Sequence, residues 1–307
     1  MTSISMMENT AKMIDVLGGS LRYRWLPAQS GPVLVFENGW GASLEQWAWV
    51  EKELAGRASL LFYSHAGIGG STLSRPQTPA GISAQFVAML DGLGIHDPVV
   101  LVGHSFGGLI SALHAAQIPD RIAALVQIDN TQEVDDAQLD KPLALVKWIG
   151  GFAILCARLG LRDPVFSGLS EMLPSEEGAR MQKLSFSAPA SLRAALAELA
   201  LLHDIRAAIA ASSGAQPRLV ISADCFDQPE GVVGRMLSMP DAVMTKRLQH
   251  IQSLHRAQIR QPNARWMTLP HSHGNLVFTA AGAADTAREV FKFAVALNAS
   301  RPELLAS

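Results

Sequence analysis

Ser105 stands in Gly103-His104-Ser105-Phe106-Gly107, a G-x-S-x-G sequence with chemical consequences. Val99-Val100-Leu101-Val102 before it is a short aliphatic run, and an Ala-rich pattern with helical spacing follows through about Gln117. A serine turned sharply between strand and helix sits in strained backbone and demands minute neighbours, which Gly103 and Gly107 supply. The turn lifts the hydroxyl clear of its surroundings, and the first N–H groups of the helix face any negative charge that develops there. A hydroxyl is almost inert at neutral pH, so an imidazole must take its proton. A carboxylate must then hold the imidazole in one tautomer and stabilise its charged form. The chain has 9 histidines and 27 acidic residues from which to draw these partners.

The elements that must position such a group alternate between two periodicities. Met13 to Leu26 reads as a strand, a Gly18-Gly19 turn and a returning strand. Pro32 to Phe36 is a short apolar run expected to be a parallel strand buried on both faces. Leu44, Trp47, Val50 and Leu54 lie at helical spacing, Leu60 to Tyr63 is a further strand, and Thr78 to Leu93 is a helix closed by Gly94. Ile122 to Ile128 is the strand after the Ser105 helix and ends at Asp129-Asn130-Thr131. From Glu133 to about Ser213 strand signals vanish, and Leu143 to Leu159 and Ser191 to Ala211 read as Ala/Leu-rich helices. Pro217 to Ser222 and Arg265 to Leu269 restore the strand pattern. Thr245 to Ile259 is expected to be a helix with His250 and His255 on a solvated face, and Ala284 to Leu297 closes the chain. This alternation predicts an α/β protein with a mostly parallel sheet and right-handed crossovers.

Through the elbow at Ser105 and the order of these elements, most of the chain resembles the α/β-hydrolase superfamily. The resemblance implies a core over 1–132 and 214–307, with a helical cap, or lid, inserted over 133–213. It also implies roles residue by residue. The loop after the first parallel strand usually reads His-Gly-x-Gly; here it reads Asn38-Gly39-Trp40-Gly41, which assigns one oxyanion-hole donor to Trp40 N–H and the second to Phe106 N–H. Asn38 departs from the usual histidine, so the bonds bracing that loop are left open. The base is expected in the loop after the last strand, where only His271 and His273 lie, and Ser272-His273 fits the usual small-Gly-His pattern better. For the acid, Asp129 is preferred, with Asp227 or Asp224 in the loop after the following strand as alternatives. His65, in a loop where relatives commonly carry Asp-x-x-Gly-x-Gly-x-Ser, reads as structural.

Composition narrows the partners. With 49% apolar and 17% charged residues and a net charge of −2, the chain is globular and has no electrostatic reason to bind nucleic acid. Cys156 and Cys225 make neither a disulfide framework nor a metal cluster and are expected to be buried thiols. No cofactor is implied. The start of the chain lacks the pattern of a secretory signal, and the most apolar window, 143–161, is interrupted by Lys147 and Arg158, so an integral span is not expected and the default location is cytoplasmic. That window is read as a buried or cap helix, with a surface-anchoring amphipathic helix as the alternative. The expected partner is a small apolar or amphiphilic molecule, and a homo-oligomer is left open. The expected reaction is hydrolysis of an ester, lactone or thioester through an acyl-enzyme, of the carboxylesterase or lactonase type. Amide or carbon–carbon hydrolysis on the same site, a non-catalytic ligand receptor and a cofactor-free oxygenase are the alternatives.

Overall fold

The computed structural model describes residues 10–136, 143–161, 167–212, 214–226 and 239–299. Lys12–Val16 (β1) and Gly19–Leu26 (β2) form an antiparallel hairpin. Gly18 makes the turn with φ 87°, a conformation that costs glycine no Cβ clash. The hairpin pairs antiparallel with Ser59–Tyr63 (β4), and a two-residue strand that the sequence did not announce, Thr72–Leu73 (β5), also pairs with β2. The remaining strands are Val33–Glu37 (β3), Val99–His104 (β6), Ile122–Ile128 (β7), Arg218–Ala223 (β8) and Ala264–Leu269 (β9), and all of these pair in parallel.

The strand order is β1-β2-β4-β3-β6-β7-β8-β9, with β5 beside β2. The chain therefore winds outward from β3 to β4, then crosses back to β6 and winds the other way. The strand order reverses between β3 and β6, and open α/β sheets generally bind their ligands at the carboxyl ends of the strands at such a switch. The loops meeting there are those that begin at Asn38 and Ser105.

Alternation along each strand splits the core in two. Leu34, Phe36, Leu60, Phe62, Val100 and Val102 pack with Trp47, Val50 and Leu54 near Ala48–Leu54 (α1), and with Ala287, Val290 and Ala294 of the C-terminal helix. Val35, Leu61, Leu101 and Leu125 face the other way, onto Phe86, Met89 and Leu90 of Pro79–Gly92 (α2). Thr78 caps α2 by accepting the Gly81 N–H. Phe106–Gln117 (α3) is buried along most of its length.

Between β7 and β8 the described chain is helical: Leu143–Arg158 (α4), Ser167–Glu171 (α5), Ser175–Met181 (α6) continued by a wider π turn at Gln182–Phe186, Pro189–Ala200 (α7) and Leu202–Ala210 (α8). The single helix expected over 191–211 is broken at Leu201, whose ψ of 0° ends α7. Leu199, Leu202 and Ile205 then pack on Phe106, Leu109, Ile110 and Leu113 of α3. Of the two readings of this window, buried or cap helix, full burial does not hold: Ala153 and Cys156 are buried, but Phe152, Leu155, Leu159 and Leu161 are exposed, so α4 buries one face among the described residues. No described helix is long and apolar enough to cross a membrane.

Asp241–Ala257 (α9), Asn275–Phe278 (α10) and Ala280–Ala299 (α11) complete the chain. Two more expectations fail here. His255 is fully buried rather than solvated, because its ring finds polar partners on both nitrogens beneath α9. Cys225 is exposed, since it lies in the loop leaving β8, whereas Cys156 is buried as expected.

Candidate active site

Ser105 has φ 55° and ψ −120°, a strained combination for a residue with a side chain. It persists because the backbone around it is stitched down. Ser105 N–H donates to Ile128 C=O at 3.0 Å, and Ser105 C=O accepts from Gly108 N–H at 3.0 Å and Thr131 N–H at 2.9 Å. The crowding explains the glycines. A Cβ on Gly103 would lie 2.4 Å from Gly107 O, and one on Gly107 would lie 2.1 Å from Glu37 O. The turn at Ser105 is thus pressed directly against the end of β3, which brings Gly39 close as well: a Cβ there would sit 3.6 Å from Ser105 Cβ. Helix α3 begins at Phe106, so its first N–H groups open onto the same corner.

Asp129 leaves the neighbouring strand β7 with φ 41°; Ser105 and Asp129 are the non-glycine residues of positive φ among those described. The bend turns the Asp129 carboxylate back over the sheet edge. Its Oδ1 accepts Ala223 N–H at 3.0 Å, and its Oδ2 lies 2.6 Å from His273 Nδ1. Burial raises the Asp129 pKa, but the bond from His273, the charges of His273 and His255, and the Ala223 N–H together outweigh it and hold the carboxyl down at about 2. The carboxylate is then acceptor only, so Nδ1 of His273 carries the proton and Nε2 is left as the basic nitrogen. Asp129 is buried, while the His273 side chain is 51% exposed and can meet a substrate.

Two further histidines brace this pair. His104 Nε2 donates to the His273 carbonyl at 3.0 Å, and the two rings lie 4.7 Å apart. Burial first, then the neighbouring His273, lowers the His104 pKa to about 3, so this ring stays neutral. His255 Nε2 donates to Asn130 C=O at 2.9 Å, and its Nδ1 accepts from Ser222 Oγ, 2.7 Å away. Burial lowers the His255 pKa too, and the neutral ring supports the turn that presents Asp129. Neither brace was foreseen. His104 was visible only as the variable residue of its motif, and the polar surroundings of His255 in sequence concealed its burial.

The loop from Asn38 has its own supports. Asn38 Nδ2 donates to Tyr63 C=O at 2.6 Å and Asn38 Oδ1 accepts Trp47 Nε1–H at 2.9 Å. Gly39 N–H donates to Gln46 Oε1 at 3.0 Å. A buried asparagine with both ends engaged thus braces the loop without a histidine. The Trp40 indole N–H reaches across to Ala195 C=O on α7, 2.6 Å away.

The other candidates are elsewhere. His271 Nε2 lies 2.9 Å from Asp285 Oδ2 on α11, in a surface pair that also holds Arg288. Asp224 is exposed, with its N–H on His271 C=O, and Asp227 lies outside the described residues. His65 is buried between Glu37 and Glu198. Among the described residues no group of three His, Cys, Asp or Glu side chains could hold a metal ion.

Residues 32–163 match the family model described as alpha/beta hydrolase fold. Lipase LipV of Mycobacterium tuberculosis is 44% identical over 85 residues, which cover 25% of this chain and 32% of that protein. A (lyso)-N-acylphosphatidylethanolamine lipase of Bos taurus is 28% identical over 123 residues, covering 37% of this chain and 36% of its own. The chain thus spans well under half the length of these curated relatives. The crystal structure of the enol-lactonase from Burkholderia xenovorans superposes with a TM-score of 0.60 at 20% identity, over 92% of this chain and 99% of that one. At that identity the likeness is one of fold.

Proposed function

We propose that this chain, which has the α/β-hydrolase fold, is a serine hydrolase that cleaves an ester, lactone or thioester of a small, largely apolar substrate. The single observation behind this reading is the 2.6 Å contact between His273 Nδ1 and Asp129 Oδ2 at the sheet edge where Ser105 stands on its strained turn. In the mechanism, Nε2 of His273 takes the Ser105 proton as Oγ attacks the carbonyl, and Asp129 stabilises the imidazolium that forms. Negative charge on the carbonyl oxygen is met by Phe106 N–H, at the start of α3, and Trp40 N–H. His273 then gives its proton to the leaving group. Water, deprotonated by the same ring, releases the acid and frees Ser105.

The helices between β7 and β8 serve in this reading as the cap over 133–213. Support comes from the Trp40 indole on Ala195, from the Leu199–Ile205 cluster on α3, and from Leu169 beside Gly274, where a Cβ would lie 3.5 Å away. An apolar cover of this kind excludes water and suits a hydrophobic acyl or alcohol part. The lipase and lactonase names among similar proteins agree with ester chemistry.

The test pairs fluorophosphonate labelling with p-nitrophenyl esters and lactones of graded chain length. The proposal expects covalent labelling at Ser105 and near-complete loss of turnover in Ser105→Ala. A wild type that labels no faster than that variant would sink the proposal and favour a ligand receptor. Function retained in the variant would instead indicate histidine-driven chemistry such as a cofactor-free oxygenase.

A further inference from the structure

Behind the candidate site lies a second buried polar cluster for which the mechanism above has no use. Glu37, the last residue of β3, is fully buried. Its Oε1 accepts Tyr63 Oη–H at 2.6 Å and has His114 Nε2 at 3.4 Å, while its Oε2 lies 3.0 Å from His65 Nε2. The other nitrogen of His65, Nδ1, lies 2.7 Å from Glu198 Oε1 on helix α7. Burial disfavours a charged His65, but the charge of Glu198 and the bonds to Glu198 and Glu37 outweigh it and raise its pKa to about 10. The nearby His114 ring and the bond from His65 likewise overcome burial and hold Glu37 at about 2. An imidazolium with both N–H groups spent on carboxylates therefore joins the sheet to α7.

Glu198 is the end of a row along that helix. Ser191 Oγ accepts Gly69 N–H at 2.8 Å, Ala195 C=O accepts the Trp40 indole N–H, and Glu198 meets His65. The spacing of 191, 195 and 198 places all three on one helix face. Small residues between them permit close approach: a Cβ on Gly67 would be 2.8 Å from Ala194 Cβ, and one on Gly41 would be 3.6 Å from Ala195 Cβ. One side of α7 is thus fastened to the loops that follow β3 and β4. The carboxylate at the far side of the clasp, Glu37, immediately precedes Asn38-Gly39-Trp40.

We infer that Glu198 and His65 are positioning residues for the reaction, acting through α7 to hold the Trp40 loop where its backbone N–H meets the oxyanion. The inference rests on the role given above to Trp40. It makes α7 a fixed wall of the site, so substrate entry depends on movement elsewhere in the cap. Glu198 touches neither Ser105 nor His273, and its effect falls on the stage at which negative charge develops rather than on ground-state binding.

The test measures Glu198→Ala and Glu198→Gln with p-nitrophenyl acetate, an ester too short to draw much binding from the cap, together with amide hydrogen exchange of the free protein. For Glu198→Ala, kcat is expected to fall about ten- to a hundredfold, with KM within about twofold. Exchange should quicken over 189–200 and 38–46 together, while 99–104 is unchanged. Glu198→Gln, which retains the shape and an acceptor oxygen, should recover a large part of kcat. A kcat within about twofold of wild type in Glu198→Ala, or faster exchange confined to 189–200, overturns the inference. If Glu198→Ala does not fold, Glu198→Gln and Ser191→Ala are held to the same two readouts. A wild type that neither hydrolyses nor labels defeats the proposed function instead, and the exchange coupling then decides the clasp alone.

Discussion

His104 Nε2 donates a hydrogen bond to the backbone carbonyl of His273, 3.0 Å away, so the residue before Ser105 holds the loop that carries the proposed base. The bond spans 169 positions of sequence and closes the strand β6 turn onto the loop after β9.

Removing that donor while keeping bulk isolates its contribution. His104→Leu should lower kcat by about tenfold, because the His273 loop loses a constraint on orientation. It should also destabilise the fold by about 1 kcal/mol, since a partly buried carbonyl loses its partner. Steady-state kinetics beside urea unfolding will check both; unchanged kcat would show that the loop is held by its other contacts alone.

Asp129→Asn removes the charge that fixes the His273 tautomer and leaves a group of nearly the same shape. Turnover should drop by about four orders of magnitude, while the fold persists through the Ala223 N–H bond. Asp285→Asn, which alters the partner of His271, should leave turnover within about twofold. A reversed ranking would identify His271 as the base.

Stability should peak near neutrality and fall on both sides. His65 is raised from 6.5 to about 10, so the folded state holds a proton that the unfolded chain has lost, and stability declines as pH rises from about 6.5 through 10. His104 is lowered from 6.5 to about 3, so the unfolded chain takes up a proton first, and stability declines as pH falls from about 6.5 towards 3. Asp129 and Glu37, both held at about 2, add a further loss below about pH 4. Thermal unfolding across pH 2–10 tests this. In His65→Gln the alkaline decline should flatten and the acid decline remain.

Gly107→Ala should cost at least about 3 kcal/mol or prevent folding, because overpacking against backbone has little room to relax. The new methyl would meet Glu37 O at 2.1 Å and Asn38 O at 2.6 Å, and both of these are main-chain atoms at the end of β3. Expression and Tm settle it; a Tm within a few degrees of wild type would show that the turn yields more readily than this packing implies.

The strained turn at Ser105 was readable because G-x-S-x-G is a local steric requirement, written in adjacent residues. The sheet was readable because buried parallel strands such as Val99–His104 are continuous apolar runs. What escaped depended on distant pairings. His255 reads as a surface residue from its neighbours on α9, yet Ser222 and the Asn130 carbonyl, from two other strand ends, make it a buried brace. The bracing of Asn38 by Tyr63 and Trp47 needed the loop's three-dimensional path. The candidate acid could not be singled out from sequence because Asp129, Asp224 and Asp227 all follow strands; among the described residues, the bend at Asp129, with its φ of 41°, turns a carboxylate toward His273.

The main-chain bonds of Ser105 to Ile128 and Thr131 flank Asp129 on either side. Ser105 and Asp129 are consequently spaced by adjacent rungs of one ladder, and they travel as a unit when the sheet twists or breathes. Remodelling the intervening helices for a bulkier or narrower guest would then alter which molecules enter while leaving that spacing untouched.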